Sequence, residues 1–157
     1  MHPSLPPVFS HIENNQEKYV QRLIDYVRHP SISAHNIGIR EVSELLIEML
    51  TKIGFETESI PTAGHPMVLG RWEKKPDAPT VLLYGHYDVQ PADPLELWET
   101  PPFEPTIRDD KMWGRGTADD KGQFYMHIKA FEIMERLGGL TCNVKFMIEG
   151  EEEVGSE

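Results

Sequence analysis

Three short acidic segments of this 157-residue chain carry residue types that bind divalent metal ions. The first contains His86 and Asp88, which follow an apolar run that ends at Gly85. The second is the pair of aspartates at 119 and 120, in a glycine-rich loop. The third follows a later apolar segment and contains Glu149, Glu151, Glu152 and Glu153. Carboxylates that meet without cations repel one another, so their convergence would favour a site for metal ions.

The donor atoms of these segments restrict the metal and its chemistry. One imidazole with several carboxylates suits zinc, manganese or cobalt. His86 and Asp88 are two positions apart, and side chains at that spacing project to the same side of extended backbone. Two ions that share a carboxylate would hold a hydroxide between them, because they lower the pKa of water from about 15.7 towards roughly 7. The pattern therefore indicates a hydrolytic metal site.

Predicted strands must position these segments. The apolar run at residues 80–84 predicts a buried strand in the middle of a sheet that helices cover on both faces. In open α/β sheets ligands bind beyond the carboxyl ends of such strands, where His86 and Asp88 lie. Further strands are predicted at residues 55–60, 67–72 and 141–148, and residues 106–113 resemble a hairpin that turns at Asp109 and Asp110. Strand, helix and strand in succession after residue 80 predict a layered α/β domain.

Three helices are predicted from apolar residues that recur at helical spacing. The first covers residues 10–29 and ends before Pro30. The second covers residues 39–53, and Gly54 is placed to cap its C-terminus. The third covers residues 123–137 and ends before Gly138. Residues 1–9 are rich in proline and are predicted to form a flexible lead to one domain over residues 10–157.

The composition argues against several classes of partner. The formal net charge of −11 disfavours nucleic acid and anionic membrane surfaces. Cys142 is the only cysteine, which excludes an internal disulfide and suits a reducing compartment. No apolar run approaches a membrane span, and the first residues do not resemble a signal peptide. These features predict a cytoplasmic protein.

The three acidic segments resemble, in order, the motifs of the M20 family of metallopeptidases, and the carnosinase-like cytosolic dipeptidases in particular. The matching stretches are YGHYDVQP at residues 84–91, WGRGTADDKG at 113–122 and EGEEEVGS at 149–156. Three motifs in the family's order make the resemblance highly specific. It implies the N-terminal part of a zinc peptidase catalytic domain, with three α/β/α layers around a mixed central sheet.

The resemblance also implies a role for each candidate residue. His86 matches a ligand of one metal ion, Glu153 a ligand of the second ion, and Asp119 the carboxylate that bridges both. Asp88 matches the catalytic-site partner that fixes the imidazole of His86 and raises its basicity. Glu152 matches the general base that passes a proton from the water to the leaving amine. In the family, the peptide bond that follows the bridging aspartate is cis.

The implied reaction is hydrolysis of the amide bond of dipeptides or small peptides, with two Zn²⁺ ions per complete site and Mn²⁺ or Co²⁺ as alternatives. Family members have a further carboxylate ligand, a distant C-terminal histidine ligand and a lid domain that mediates dimerisation and contacts substrate. None of these lies in the 157 residues, so the chain is predicted to be truncated before the lid. Each ion would then have two protein ligands, whereas catalytic zinc normally has three. We therefore expect the chain alone to be inactive and the complete protein to be a homodimer.

Alternative interpretations stay open on the sequence. An N-acyl-amino-acid deacylase of the same family would carry the same motifs, and a truncated fragment could act as a non-catalytic binding module. At single positions, Asp120 is also typical of a helix N-cap, and the glutamate run is also typical of a solvated acidic loop. The glycine-rich loop lacks the spacing of a phosphate-binding loop, and its aspartates would repel phosphate.

Overall fold

The computed structural model describes residues 5–156, and this part of the chain forms three α-helices and six β-strands. The helices are α1 (Leu5–Val27), α2 (Ile39–Lys52) and α3 (Lys121–Arg136). The strands are β1 (Glu56–Ile60), β2 (Met67–Trp72), β3 (Thr80–His86), β4 (Thr106–Arg108), β5 (Lys111–Trp113) and β6 (Asn143–Glu149). Every predicted helix and strand is present, and apart from the start of α1 the bounds differ by at most two residues.

Helix α1 begins earlier than the sequence analysis predicts. It starts at Leu5 rather than at residue 10, so the part of the expected flexible lead over residues 5–9 is helical, and residues 1–4 lie outside the described residues. Pro6 and Pro7 fit because the first turn of a helix has no internal partners for its N–H groups. Val8 is already buried. Among the described helices, α1 included, none is long and apolar enough to cross a membrane.

Four strands form a mixed sheet in the order β1-β2-β6-β3, which confirms the predicted α/β class with a mixed sheet. The β1–β2 and β2–β6 pairs are antiparallel, and the β3–β6 pair is parallel. Strands β4 and β5 form a separate hairpin. Its turn residues Asp109 and Asp110 have φ values of 50° and 57°, the left-handed conformation that two-residue hairpin turns prefer.

Helices α2 and α3 pack against one face of the sheet and enclose an aromatic core. Val144, Phe146 and Ile148 alternate along β6 and are buried on this face. The ring of Phe146 lies 5.2 Å from that of Phe55 and 5.4 Å from that of Phe124, measured between centroids. Burial of each such side chain stabilises the fold by about 1.5–3 kcal/mol, so β6 is held firmly under the helices.

The sequence predicts that β3 lies in the middle of the sheet and is buried on both faces, and this prediction is wrong for the described residues. Here β3 pairs with β6 alone and forms the edge of the sheet. Leu82 and Tyr84 are 56% and 51% exposed, on the face opposite the helices. An apolar run shows that side chains suit burial, but it does not identify the elements that would cover them.

Candidate metal centre

The parallel pairing of β3 with β6 brings two acidic segments together. His86, the last residue of β3, lies opposite Glu149, the last residue of β6. The amide N–H of Tyr87 donates to the carbonyl oxygen of Glu149 at 2.9 Å, so the pairing continues one residue further. Asp88 and the glutamates after β6 therefore leave the same edge of the sheet side by side.

The N-terminal end of α3 brings the third acidic segment to the same place. Asp119 Oδ1 lies 3.1 Å from Nε2 of His86, and Asp120 Oδ2 accepts a hydrogen bond from the amide of His86 at 3.1 Å. The peptide bond between the two aspartates is cis, as the resemblance implies. Asp120 occupies the N-cap position of α3 but makes no capping hydrogen bond with its side chain. Its carboxylate thus joins the loop to β3 instead.

Gly85 permits this close approach of α3 to the end of β3. A Cβ atom at this position would lie 2.6 Å from Cδ2 of Phe124 and 2.7 Å from Oδ2 of Asp120. Both distances are well inside van der Waals contact. The loop that carries the aspartates can therefore adopt this position only because residue 85 is glycine.

Gly85→Ala is expected to lower the free energy of unfolding by about 1–3 kcal/mol, because α3 and its preceding loop must move away from β3. Urea denaturation would measure the loss. Thr80→Ala, at the exposed start of the same strand, is the control and should change stability by less than about 0.5 kcal/mol. Equal effects of the two substitutions would contradict the steric argument.

The three predicted metal ligands lie close together. His86, Asp119 and Glu153 each offer one ligand atom, and these atoms lie within 4.8 Å of one another. Such separations suit ions whose bonds to nitrogen and oxygen are about 2.0–2.2 Å long. Within residues 5–156 no other group of three metal-binding side chains meets this spacing. The donor set and its geometry therefore fit divalent zinc, manganese or cobalt.

Asp88 holds two parts of this centre at once. It is completely buried, and its Oδ1 lies 3.3 Å from Nδ1 of His86. Its carboxylate also accepts hydrogen bonds from the amide N–H groups of Glu152 at 3.2 Å and Glu153 at 3.1 Å. Burial raises the pKa of Asp88, but the hydrogen bonds outweigh burial and hold that pKa below its ordinary value. Asp88 is therefore a charged anchor between the imidazole and the glutamates.

The imidazole of His86 has carboxylates at both nitrogens. Nδ1 faces Asp88, and Nε2 lies 3.1 Å from Oδ1 of Asp119 and 3.8 Å from Oε2 of Glu152. Burial lowers the pKa of His86, but the hydrogen bond and charge of Asp88 outweigh it and raise the pKa to about 9. Negative charge thus collects around Nε2, which is the electrostatic environment that a cation requires.

Two further residues, neither of them predicted from the sequence, hold the glutamate segment. Nε2 of Gln90 donates to the carboxylate of Glu153 at 2.8 Å and to its main-chain carbonyl at 3.1 Å. The hydroxyl of Tyr84 donates to the carboxylate of Glu149. Both residues continue a series of alternate positions, 84, 86, 88 and 90, and this period of two is the signal that could have identified them.

Lys121, which follows Asp119 and Asp120, holds their loop against the end of α1. This role is also not predicted from the sequence. Its side chain is completely buried. The ammonium group donates to the main-chain carbonyl of His29 and lies 5.2 Å from the ring centroid of Tyr26. Burial lowers the pKa of Lys121 to about 7. The loop that ends at α3 is thereby tied to the C-terminal end of α1.

Comparison with known proteins finds peptidases that are similar to this chain. The model of peptidase family M20/M25/M40 matches residues 82–157. The chain is 35% identical to the Cys-Gly metallodipeptidase dug1 of Schizosaccharomyces pombe in an alignment 173 positions long, which covers 100% of this chain and 36% of the relative. The chain spans about a third of the length of the curated relatives that it matches.

Solved structures show the same relationship in three dimensions. The crystal structure of human carnosine dipeptidase 1 is 32% identical, with a TM-score of 0.89 over 97% of this chain and 36% of that chain. The M20 family metallo-carboxypeptidase Sso-CP2 from Sulfolobus solfataricus is 37% identical, with a TM-score of 0.83 over 88% of this chain and 32% of that chain. Both likenesses extend well beyond the three motifs.

Proposed function

Because this chain belongs to peptidase family M20/M25/M40, we propose that it forms the metal-binding part of an enzyme that hydrolyses the peptide bond of dipeptides or small peptides. The observation that carries this proposal is the approach of His86, Asp119 and Glu153, whose ligand atoms lie within 4.8 Å of one another. The names of the relatives, a Cys-Gly metallodipeptidase and a carnosine dipeptidase, support the class of substrate. The activity is proposed for the whole protein, of which this chain supplies one part.

In this proposal each site residue has a separate role in metal binding. His86 would hold one ion, Glu153 would hold a second ion, and Asp119 would be shared by both. We propose Zn²⁺ for both positions, with Mn²⁺ or Co²⁺ as alternatives. Bound ions of this kind polarise a substrate carbonyl and lower the pKa of a coordinated water. Asp88 keeps the ring of His86 oriented so that Nε2 faces the metal side of the centre.

Glu152 is suited to act as the general base. Its side chain is 44% exposed, so its carboxylate can meet both solvent and substrate, and Oε2 lies 3.8 Å from Nε2 of His86. The hydrogen bond from the main-chain amide of Glu152 to the carboxylate of Asp88 fixes the backbone from which this side chain extends. A carboxylate in this position can accept a proton from the attacking water and return it to the leaving amine.

The 157-residue chain is expected to bind Zn²⁺ or Co²⁺ weakly and to hydrolyse dipeptides slowly, because each ion would have two protein ligands where catalytic zinc normally has three. His86→Ala should weaken binding further by at least about tenfold, since even partners outside the ligand set contribute about 10–100-fold. Titration with Co²⁺ followed by visible absorption, and calorimetry with Zn²⁺, would measure both effects. The control is His127→Ala, because His127 is exposed on α3.

Three results would decide between the proposal and its alternatives. Metal binding that His86→Ala leaves unchanged would refute the site, and full turnover by the 157-residue chain would refute the two-ligand assignment. A panel of dipeptides and N-acyl amino acids, tested on a protein of the relatives' length that carries these residues, would separate a peptidase from a deacylase. Dimerisation through a lid domain and a cytoplasmic location stay predictions.

A further inference from the structure

The three consecutive glutamates at 151–153 point to different partners. Glu152 faces His86, and the carboxylate of Glu153 accepts a hydrogen bond from Gln90. Oε2 of Glu151 instead lies 3.0 Å from Oγ1 of Thr62, in the loop between β1 and β2. Glu151 is therefore not part of the group of candidate metal ligands, and its side chain has a separate partner.

The loop over residues 61–66 forms a seat for the carboxylate of Glu151. Oγ1 of Thr62 accepts a hydrogen bond from the amide of Gly64 at 3.1 Å. Its single proton is shared between two acceptors, the carbonyl oxygen of His65 at 2.6 Å and the carboxylate of Glu151 at 3.0 Å, so the loop and the carboxylate meet at this hydroxyl. A Cβ atom on Gly64 would lie 1.8 Å from Oε1 of Glu151. The carboxylate thus fills the space that a side chain at residue 64 would need.

The same loop is anchored to the rest of the protein. The ring of His65 contacts the carbonyl oxygen of Ser33 through Nε2 at 3.1 Å. The hydroxyl of Tyr87, next to the candidate ligand on β3, donates to the carbonyl oxygen of Pro66 at 2.7 Å. The seat is therefore held in place independently of Glu151, as a positioning element must be.

Glu151 also begins the short 3₁₀ turn Glu152–Val154. Its carbonyl oxygen accepts hydrogen bonds from the amides of Val154 at 3.1 Å and Ser156 at 3.0 Å. The first two amides of the turn donate to Asp88. The turn is consequently held at two points. Its main-chain amides donate to the Asp88 carboxylate, and the side chain of Glu151, the residue before the turn, contacts Thr62.

We infer that Glu151 is a positioning residue, which fastens the turn that carries Glu152 and Glu153 to the seat at residues 61–66. Its catalytic meaning rests on the function proposed above, whereas the fastening itself is a property of the folded chain. Without the Glu151 side chain, the turn keeps its hydrogen bonds to Asp88 but loses its attachment to Thr62. The two following glutamates are then less constrained relative to His86.

A steric double-mutant cycle tests this inference on the full 157-residue chain. Gly64→Ala is expected to displace the Glu151 carboxylate, and Glu151→Ala removes it. Each should speed hydrogen exchange of the amide protons of Glu152 and Glu153 about tenfold in the metal-free chain, measured by NMR. In the Glu151→Ala background, Gly64→Ala should have no further effect. Glu151→Gln keeps an acceptor oxygen and should restore exchange close to that of the original chain.

Metal affinity provides the second measurement. Gly64→Ala and Glu151→Ala should each weaken Co²⁺ binding about tenfold, and the double variant should bind no more weakly than either single variant. Glu56→Ala removes an exposed acid from β1 and is the control for net charge. If Gly64→Ala does not fold, Glu151→Ala compared with Glu151→Gln still tests the contact, because neither substitution alters the loop at residues 61–66.

The outcomes separate this inference from the proposed function. Unchanged amide exchange in Glu151→Ala, or an equal effect of Gly64→Ala with and without Glu151, would overturn the inference. Absence of Co²⁺ binding by a protein of the relatives' length that carries these residues would instead contradict the proposed function, and the exchange measurements would still decide whether Glu151 fastens the turn. The inference is supported if Gly64→Ala speeds amide exchange and weakens Co²⁺ binding in the original chain but has neither effect in the Glu151→Ala background.

Discussion

Replacing Glu152 with glutamine is expected to lower kcat for dipeptide hydrolysis about 10²–10⁴-fold, the contribution typical of a general base. Glutamine keeps the size and the carbonyl oxygen of the side chain, but it cannot accept the proton. The bond from residue 152 to Asp88 is made by the main-chain amide, so the neighbouring Glu153 should keep its position. We therefore expect metal affinity to change little while turnover collapses.

The measurement needs a protein of the relatives' length that carries these residues, with kcat and Zn²⁺ affinity determined on the same preparation. Glu56→Gln is the matched control, because it removes the same charge from the exposed face of β1. A loss of kcat below tenfold would contradict the assignment of Glu152 as base. A parallel loss of Zn²⁺ affinity would identify Glu152 as a metal ligand instead.

Asp88→Ala is expected to lower the free energy of unfolding by about 3–5 kcal/mol, the cost of removing one partner of a buried ionic interaction. The substitution leaves the amides of Glu152 and Glu153 without their acceptor and Nδ1 of His86 without its carboxylate. Because Nδ1 of His86 then keeps only the main-chain carbonyl of residue 88 as its partner, at 3.1 Å, the imidazole is less firmly oriented and metal affinity should fall about 10–100-fold. Urea denaturation and Co²⁺ titration measure the two effects.

Asp25→Ala is the control for this experiment, since Asp25 is exposed and its ion pair with Arg28 should contribute no more than about 1 kcal/mol. Asp88→Asn keeps the shape and one acceptor oxygen, so its loss of stability should be smaller than that of Asp88→Ala. If Asp88→Ala unfolds with the same urea midpoint as the original chain, the carboxylate does not anchor the glutamate turn.

Local sequence patterns were sufficient for most secondary structure. Alternation of Val144, Phe146 and Ile148 predicted β6, and Asp109 and Asp110 predicted the turn of the hairpin, because both signals are properties of neighbouring residues. The same patterns predict the start of α1 five residues too late. Proline-rich sequence suggested a flexible lead, although the first turn of a helix tolerates proline.

The candidate site could also be predicted as a set of residues. Three motifs and their order predict His86, Asp119 and Glu153 as ligands, and the structure brings their ligand atoms within 4.8 Å of one another. Their individual roles stay proposals. Tyr84, Gln90 and Lys121 were missed, because their contribution lies in hydrogen bonds to other site segments that sequence spacing alone does not specify.

The sequence by itself therefore determined which segments form helices and strands and which residues are candidates for the metal site. The tertiary structure alone decided that β3 lies at the edge of the sheet in the described residues and that Asp120 bonds to β3 rather than capping α3. It also directed Glu151 to Thr62, which lies 89 residues earlier in the chain. The physical reason is that periodicity specifies the face on which a side chain lies, whereas its partner depends on which distant strands pair and which loops they bring together.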